Sequence, residues 1–516
     1  MKVRLLALFT VISHVCGFSQ ITVKTDRADA FYQVTDSVYF IVNTPLSDSV
    51  QYFLQRDGRT PKICLGTIWA EAGIDKGIAY KGHHSDVVVC TVKSESGTAT
   101  AAAAIGAWDI QPFEPDPADF DTWWGQQITQ LAQIPMDIKM NVIDSSEYSK
   151  TYQINLATVS NRRVYGYISI PKGKGPFPAI LTLPAFGDLA NIVQPETEVA
   201  EIGGAISMTI SIHNAPPNQH DPNAYLPNDF TNRDSNYYRL GVLAGIRAID
   251  YLFSRLDFDG QSLGLTGVSQ GGGIAALISG IDRRVNAISE SGAPMGEHTG
   301  NRYNFASAFP FYYFVDKGLG VLTSESVLGA TKYFDAIRSM KRFKGAALLF
   351  TGYKDDLAPS AIAYGLFNML GGGPKIILQG SNFGHEHPDE YWQGRFSFWR
   401  RFFPAMRSPP KPYVSKDLGY WTSAGRDTIL PLGVRSMQLK GVADINGNIS
   451  LPLPVYWRKV CGPGSVVFTS PNSRETTVTF GLPGEYTLTF YADDNASLTT
   501  LQRRTTFANS VHITIQ

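Results

Sequence analysis

A serine flanked by glycines lies where a predicted strand turns into a predicted helix. Ser269 is the centre of Gly-Val-Ser-Gln-Gly, which follows the apolar run 263–266 and precedes an Ala/Leu/Ile-rich segment. A serine hydroxyl is a weak nucleophile at neutral pH, so it must stand where a base can take its proton. A sharp strand-to-helix turn exposes the hydroxyl, and the glycines give that turn room. We therefore predict that Ser269 is a nucleophile; the alternative is a serine that only caps a glycine-rich turn.

Two later strand ends supply a carboxylate and a histidine in the order serine, acid, histidine. Asp355 follows a predicted strand, where a carboxylate can hold an imidazole in one tautomer and stabilise its charged form. His385 lies in a glycine-flanked loop after the next strand, a suitable position for a general base. The alternatives are that Asp355 only begins the helix from Ser360, and that His387 is the base.

The elements that would position these residues alternate between strands and helices from about 144 to 403. This alternation predicts an α/β domain with a mostly parallel sheet covered on both faces. The turn at Ser269 aims the backbone N–H of Gln270 at the place where a tetrahedral intermediate carries charge. A second donor is expected from the loop that follows the neighbouring strand, at 185–188. The long loop 213–234 favours a functional role, because such loops are uncommon in compact domains.

The stretches on either side of this domain have strand-length alternating runs separated by Gly, Pro, Asn and Asp turns. Such patterns predict two small β-sandwiches. The predicted boundaries are 1–19 for a signal peptide, 20–107 and 418–516 for the two sandwiches, and 108–407 for the α/β domain. Cys64 and Cys90 lie in the first sandwich, where they either bridge two strands or remain buried free thiols, and Cys461 is left single.

Composition limits the partners of the chain. Its 516 residues contain 45 Lys+Arg and 45 Asp+Glu, so net charge indicates neither nucleic acid nor an anionic membrane. Residues 1–19 have two basic residues, an apolar stretch and then small residues, the layout of a secretory signal peptide. No later stretch reaches about 18 apolar residues, so we predict a secreted or periplasmic protein without a membrane span.

Four stretches of the middle domain carry a family resemblance: RDSNYYRLGVLAGIRAIDYL, GLTGVSQGGG, GYKDDLAPS and GHEH. Together they resemble the acetyl xylan esterase and cephalosporin C deacetylase family, α/β-hydrolases that act as carbohydrate esterases. The resemblance runs from about 117 to 403. It implies Ser269 as nucleophile, Asp355 as orienting acid and His385 as base, with an oxyanion hole formed by the backbone N–H groups of Gln270 and Phe186. It also implies acetyl removal from xylan and small esters without a metal or other cofactor.

The chain departs from that family at two places. Relatives carry Gly-Tyr where this chain has Ala185 and Phe186, and Arg-Gly-Gln where this chain has SIHNAPPNQHD. Within the second segment, His213 and Asn214 are either substrate-binding residues that line the pocket or solvated loop residues. The flanking regions are similar to an Ig-like module at the N-terminal side and a PKD-type Ig-like module at the C-terminal side. Such modules space, stabilise or attach an enzyme.

We therefore expect a secreted serine esterase that removes acetyl groups from plant-wall carbohydrate through an acyl-enzyme. Acetylated xylan or xylo-oligosaccharides are the expected substrates. Two alternatives remain open: a serine carboxylesterase or peptidase for a non-xylan substrate, and an inactive hydrolase-fold adhesion or scaffold protein. We make no prediction of the oligomeric state.

Overall fold

A computed structural model describes residues 20–56, 62–187, 193–221, 223–225, 229–303, 305, 325–406, 420–495 and 503–516. The predicted signal peptide, 1–19, and residues 408–417 between the predicted α/β domain and the second predicted sandwich lie outside the described residues. Among the described helices, none is both long enough and apolar enough to cross a bilayer.

The N-terminal region folds into two sheets around an apolar core of its own. One sheet has the order β1-β3-β6 and the other the order β2-β8-β7-β4-β5. Alternating residues such as Val38, Phe40 and Val42 fill the space between the sheets. The strands are β1 Thr22–Thr25, β2 Phe31–Tyr32, β3 Val38–Asn43, β4 Asp48–Gln55, β5 Cys64–Ala70, β6 Lys76–Tyr80, β7 Asp86–Ser94 and β8 Gly97–Ile105.

The two cysteines of this region are free thiols, so the disulfide alternative is wrong. Cys64 and Cys90 are paired with Leu54 from opposite sides, because β5 and β7 flank β4. Strands that flank a common neighbour are about 10 Å apart, which is beyond the Cα separation that a disulfide spans. Burial raises the pKa of the Cys90 thiol to about 12, which suppresses its reactivity.

The middle region contributes nine strands to one large sheet, in the order β9-β10-β11-β13-β12-β14-β15-β16-β17. The six strands from β13 to β17 in this order are parallel, whereas β9, β10 and β11 are antiparallel. The strands are β9 Lys139–Ser145, β10 Ser149–Thr158, β11 Arg162–Pro171, β12 Phe177–Leu183, β13 Ile206–Ser211, β14 Phe258–Val268, β15 Ala287–Ser291, β16 Ala346–Gly352 and β17 Lys375–Gly380. The carboxyl ends of the parallel strands meet at one edge, where such sheets bind ligands.

Helices cover both faces of this sheet. Leu349 belongs to the apolar core that includes residues of α3, α4, α6 and α7, whereas Leu348 and Phe350 belong to the core that includes residues of α8, because successive strand residues point to opposite faces. The helices are α1 Phe120–Ala132, α2 Thr197–Glu201, α3 Tyr237–Phe253, α4 Gln270–Ile281, α5 Glu325–Thr331, α6 Ala336–Met340, α7 Ser360–Met369 and α8 Asp389–Phe402. Short 3₁₀ turns lie at Ala107–Asp109, Gly300–Tyr303 and Lys332–Phe334.

The C-terminal region joins the same sheet. β26 runs antiparallel beside β17, from Lys375 opposite Ala508 to Gly380 opposite Arg503, and the sheet continues through β25 to β22. Smaller sheets are formed by β18-β21 and by β20-β24-β23. The strands are β18 Tyr420–Ser423, β19 Thr428–Leu430, β20 Ser436–Lys440, β21 Val442–Ile445, β22 Val455–Cys461, β23 Val466–Phe468, β24 Glu475–Phe480, β25 Gly484–Asp494 and β26 Arg503–Ile515. Both Ig-like assignments stay predictions.

The three regions meet around the buried ring of Trp108. That ring lies 5.2 Å from Phe31 of the N-terminal region and 5.7 Å from Tyr491 of the C-terminal region. From the middle region, the rings of Tyr364 and Phe367 on α7 lie 5.3 and 5.6 Å away. Large aromatic surfaces buried together in this way hold the regions as one body.

Candidate active site

Ser269 lies on a strained turn between β14 and α4. Its backbone has φ 52° and ψ −128°, a conformation that non-glycine residues rarely adopt and that is typical of an exposed nucleophile. Both glycines of the motif are required by close packing: a Cβ at Gly267 would collide with the backbone of Gly271, and one at Gly271 with the carbonyl of Leu183. The Gly-x-Ser-x-Gly spacing is therefore the spacing this turn needs.

Asp355 and His385 lie at the ends of neighbouring strands β16 and β17, and they are hydrogen-bonded. The distance from His385 Nδ1 to Asp355 Oδ2 is 2.7 Å. The Asp355 side chain is 2% exposed and that of His385 is 21% exposed. The other carboxylate oxygen, Oδ1, accepts hydrogen bonds from the backbone N–H groups of Leu357 and Ala358, at 2.9 and 2.7 Å. Asp355 thus both shapes the turn before α7 and orients the imidazole.

The environment of His385 changes its affinity for a proton. Burial by itself would lower the pKa of this imidazole, but the hydrogen bond and charge of Asp355, with the charges of Asp356 and Glu386, outweigh burial. The pKa of His385 is therefore raised above its ordinary value. A base stabilised in its protonated form is the arrangement that proton abstraction from a serine requires.

His387, the competing histidine, has a different partner. Its Nδ1 lies 2.7 Å from the Oγ of Ser291 at the end of β15. Burial, followed by the charge of His385, lowers the pKa of His387. No orienting carboxylate contact to His387 occurs in the described part of the chain, whereas His385 has one. The geometry favours His385 as the base.

Ser291 and Gly292, which sequence analysis did not select, connect the nucleophile to the Asp355–His385 pair. The backbone N–H of Ser269 donates to the carbonyl oxygen of Ser291 at 2.8 Å. A Cβ at Gly292 would lie 3.3 Å from His385 Cε1 and 3.5 Å from Asp355 Oδ2, and its φ is 60°. The signal that points to this position is a glycine immediately after a parallel strand.

The loop proposed to supply the second oxyanion donor is held by three side chains. Gln270 Nε2 donates to the Ala185 carbonyl at 3.3 Å, and His213 Nε2 lies 2.9 Å from the Gly187 carbonyl. The backbone N–H of Gly187 donates to Tyr225 Oη at 2.9 Å, and the ring of Tyr225 stacks on Phe186 at 4.7 Å. The backbone of this loop is therefore fixed beside the Ser269 turn.

The predicted role of His213 in substrate binding is corrected by its burial. Its exposed fraction is 0%, and both of its ring nitrogens are bonded to the protein. Because a carbonyl oxygen only accepts, Nε2 donates to Gly187, and Nδ1 accepts from Tyr237 Oη at 2.6 Å. The buried ring supports the loop around Gly187 from behind. Its burial also excludes the alternative that His213 is a solvated loop residue.

Asn214 is exposed, but it contacts β11 and not the Ser269 turn. Its Oδ1 accepts from the backbone N–H of Arg163 at 2.7 Å. The side chain lines a cavity of about 860 Å³ together with Arg162 and Asp221. The structure does not bring Asn214 together with the Asp355–His385 pair.

A second cavity, of about 500 Å³, adjoins the Ser269 turn on the α8 face of the sheet. Phe186, Val268, Trp392, Arg395 and Glu196 are among its lining residues. The Arg395 guanidinium lies 4.3 Å from the ring centroid of Trp392, and that ring lies 6.2 Å from His387. We call this space the α8 cavity.

Glu290 is a buried acid beside the Ser269 turn that the sequence did not reveal. It is opposite Gly267 in the β14–β15 register, and a Cβ at Gly272 would lie 3.2 Å from its Oε2. Burial raises the pKa of Glu290 to about 8, against the single hydrogen bond from the Ala293 N–H. Its carboxyl is therefore mainly protonated at pH 7. No group of three His, Cys, Asp or Glu in the described ranges is placed to hold a metal ion.

A mostly parallel sheet with helices on both faces and a strained serine at a central strand end defines an α/β-hydrolase. The chain belongs to the acetyl xylan esterase family, whose family model, Acetyl xylan esterase (AXE1), matches residues 109–402. The predicted fold class and family are thereby confirmed.

Individual relatives agree with this assignment. Acetyl esterase Axe7A of Xylanibacter ruminicola is 27% identical over 277 residues, which is 51% of this chain and 62% of that protein. The acetyl xylan esterase from Paenibacillus sp. R4 has a TM-score of 0.52 at 20% identity, over 58% of this chain and 98% of that chain. Acetyl Xylan Esterase 1 from Thermoanaerobacterium sp. JW/SL YS485 has a TM-score of 0.51 at 18% identity, over 57% and 97% respectively. At these identities the structures establish the likeness of fold alone.

Proposed function

We propose that this protein is a serine carboxylic ester hydrolase that removes acetyl groups from plant-wall carbohydrate, acetylated xylan or xylo-oligosaccharides. The observation that carries the proposal is the hydrogen-bonded Asp355–His385 pair, whose members follow the strands two and three places along the sheet from the strained Ser269 turn. Family membership and the name of the relative from Xylanibacter ruminicola, an acetyl esterase, support an acetyl ester as the substrate.

In the proposed mechanism, Ser269 attacks the acetyl carbonyl while His385 takes the serine proton. His385 uses Nδ1–H to donate to Asp355, so the lone pair for this proton is on Nε2. The tetrahedral intermediate collapses when His385 returns the proton to the departing sugar oxygen. Water activated by the same imidazole then hydrolyses the acetyl-enzyme and releases acetate.

The backbone N–H groups of Gln270 and Phe186 are the proposed oxyanion donors. Each such donor contributes a factor of about 10²–10³ in turnover, because it is already aimed at the charge that develops. The braces from Gln270, His213 and Tyr225 to the loop around Phe186 support this role by fixing its backbone.

The α8 cavity is the proposed place of the sugar. An aromatic ring beside a guanidinium and a carboxyl is a suitable surface for a carbohydrate, which offers C–H faces and hydroxyl groups. Trp392→Ala is expected to raise KM for acetylated xylo-oligosaccharides several-fold and to leave p-nitrophenyl acetate hydrolysis unchanged. Equal effects on both substrates would place the sugar elsewhere.

We also propose export of the protein by residues 1–19 to a secreted or periplasmic location. The basic residues followed by an apolar stretch support this. N-terminal sequencing of the exported protein should begin near residue 20. Retention of residues 1–19 in the exported protein would contradict the proposal.

The central experiment measures acetate release from acetylated xylo-oligosaccharides by the mature protein and by Ser269→Ala. We expect release by the wild type and a loss of at least about 10⁴-fold in the variant, because the nucleophile is removed. Ser262→Ala, on the same strand β14 but away from the turn, is the matched control and should keep full activity. A fluorophosphonate probe should label the wild type and Ser262→Ala only.

Each other outcome selects an alternative. Hydrolysis of p-nitrophenyl acetate without release from xylo-oligosaccharides would retain the esterase and exclude the xylan substrate. Cleavage of peptides in preference to esters would indicate a peptidase. Absence of both activities together with absence of labelling would indicate an inactive scaffold protein.

A further inference from the structure

A buried chain of hydrogen bonds connects the C-terminal strand β26 to the strands that carry the acid and the base. Its centre is Gln379 on β17. Gln379 Oε1 lies 3.1 Å from Tyr353 Oη and 2.5 Å from Tyr364 Oη, and the two phenol oxygens lie 2.6 Å from each other; Gln379 Nε2 donates to Thr506 Oγ1 at 3.0 Å. Tyr353 follows β16, Tyr364 lies on α7, and Thr506 belongs to β26. One side chain thus connects the acid strand, a covering helix and the C-terminal region.

The series of hydrogen bonds continues from Thr506 within the C-terminal region to a buried charge pair. Thr506 Oγ1 donates to Asp493 Oδ1 at 2.6 Å, and Arg504 Nη2 donates to Asp493 Oδ2 at 2.5 Å. Thr506, Asp493 and Arg504 are 0%, 3% and 8% exposed. Because the carboxylate only accepts, the Thr506 hydroxyl must donate to it and accept from the Gln379 amide. This fixes the Gln379 carbonyl toward the two phenols.

At its other end, at Tyr353, the series of hydrogen bonds reaches the candidate active site through backbone contacts. Tyr353 lies two residues before Asp355, and its N–H donates to the Gly380 carbonyl on β17 at 2.9 Å. The N–H of Lys354 donates at 2.9 Å to the carbonyl of Phe383, two residues before His385. The loops of the acid and the base are therefore bonded to each other. Gln379 lies at the end of β17, which leads into the His385 loop, and its contact with Tyr353 reaches the Asp355 loop.

We propose that the C-terminal region is a positioning part of the esterase site: Thr506, through Gln379 and Tyr353, holds the Asp355 loop against the His385 loop. The inference rests on the proposed catalytic roles of Asp355 and His385. It assigns β26 a task beyond spacing or attachment, because this strand both pairs with β17, the last strand of the middle region in the sheet, and supplies the hydroxyl that binds Gln379. Buried hydrogen bonds that share partners in this way strengthen one another.

The neighbouring residue offers a matched control. Thr505 is as buried as Thr506 and lies on the same strand, but its hydroxyl has no hydrogen-bond partner within the described part of the chain. Thr505→Val and Thr506→Val are the same change of one hydroxyl to one methyl. They differ in whether that hydroxyl is hydrogen-bonded to Gln379 and Asp493.

The test compares kcat, KM and the pH profile of full-length Thr506→Val, Thr506→Ser and Thr505→Val on p-nitrophenyl acetate. We expect Thr506→Val to lower kcat about tenfold with KM unchanged, because the reacting groups are displaced by a fraction of an ångström. Its acid limb should move to lower pH, because contact with Asp355 is what raises the pKa of His385. Thr506→Ser and Thr505→Val should stay within about twofold of the wild type.

Two results would overturn the inference: a wild-type kcat and pH profile in Thr506→Val, or an equal loss in Thr505→Val, which would reflect general destabilisation. NMR titration of His385 in the full chain, identified by its absence in His385→Gln, gives a readout that needs no activity. If the wild type hydrolyses no ester but Thr506→Val still lowers the His385 pKa, the proposed function fails and the positioning role of Thr506 stands. An unchanged His385 pKa overturns the positioning role, whether or not the enzyme is active.

Discussion

Asp355 and Glu290 are two buried carboxyl groups at the ends of neighbouring parallel strands, and their surroundings differ. Asp355 accepts three hydrogen bonds, from the N–H groups of Leu357 and Ala358 and from His385. Three donors around one carboxyl group stabilise its negative charge. The desolvation cost is offset at this position, so a buried charge can orient and stabilise an imidazolium.

Glu290 has far less compensation for the same burial. It accepts one hydrogen bond, at 3.2 Å from the Ala293 N–H, and its Oε1 has no partner within the described residues. Its pKa is accordingly raised to about 8 by burial. Burial of an acid at a strand end does not make it catalytic; the donors around it decide whether it holds a charge.

Among the changes that test this comparison, we expect removal of the Asp355 charge to have the largest effect on activity. In Asp355→Asn the amide can donate to His385 Nδ1, which leaves the imidazole with its proton on Nε2, where it cannot act as base. We expect kcat to fall about 10³–10⁴-fold with little change in KM. Steady-state kinetics on p-nitrophenyl acetate measure both constants.

Asp356→Asn is the matched control for this variant. It removes a neighbouring negative charge without removing the hydrogen bond to His385. Its kcat should remain within about threefold of the wild type. If both variants lose activity equally, general electrostatics and not the Asp355–His385 bond carries the effect, and the assignment of the acid fails.

We expect a smaller loss of activity when a substitution crowds the Asp355–His385 pair but keeps its charges. In Gly292→Ala the new methyl group would lie 3.3 Å from His385 Cε1, tighter than most real contacts, so the imidazole must shift. We expect kcat to fall about tenfold, since misplacement of a reacting group is costly. Gly425→Ala is the control, because Gly425 also has positive φ but has nothing within 4 Å of the added Cβ. A kcat loss in the control as large as that in Gly292→Ala would assign the effect to backbone strain.

The signals that select the catalytic candidates are local in the sequence. Ser269, Asp355 and His385 each follow an apolar run and lie beside glycines, and parallel strands bring such ends to one edge. The brace of His213 could not be predicted, because Tyr237 and Gly187, which bind it, are 24 and 26 residues away in sequence. His213 lies in a segment where this chain differs from its family, and that difference suggested contact with the substrate. Its partners in the fold show instead that it holds the loop around Gly187.

The pairing of the C-terminal region was hidden for a similar reason. Alternation of apolar and polar residues predicts that 503–515 is a strand, but it does not name the neighbouring strand. β26 lies beside β17, more than a hundred residues earlier in the chain. The disulfide question had the same origin: the pattern located Cys64 and Cys90 in strands, but only the pairing shows that β4 separates them.

Replacement of Glu290 by glutamine is the smallest expected change, and it tests the other half of the comparison. Glu290 is mainly protonated at pH 7, so the neutral isostere should keep kcat within about twofold there. Above pH 8 the wild-type carboxyl ionises beside the first turn of α4, where negative charge opposes the oxyanion. Glu290→Gln should therefore keep more activity than the wild type between about pH 8 and 9.

The thermal stability of Glu290→Gln gives an independent check of the same pKa. The folded state holds the Glu290 proton up to about pH 8, whereas the unfolded chain releases it near its ordinary pKa of about 4.3. The stability that this group contributes is thus fully present below about pH 4 and is lost as pH rises toward 8. The Tm of Glu290→Gln minus that of the wild type should widen across this range and then level off. A constant difference would show that Glu290 is charged in the folded protein, and that it resembles Asp355 after all.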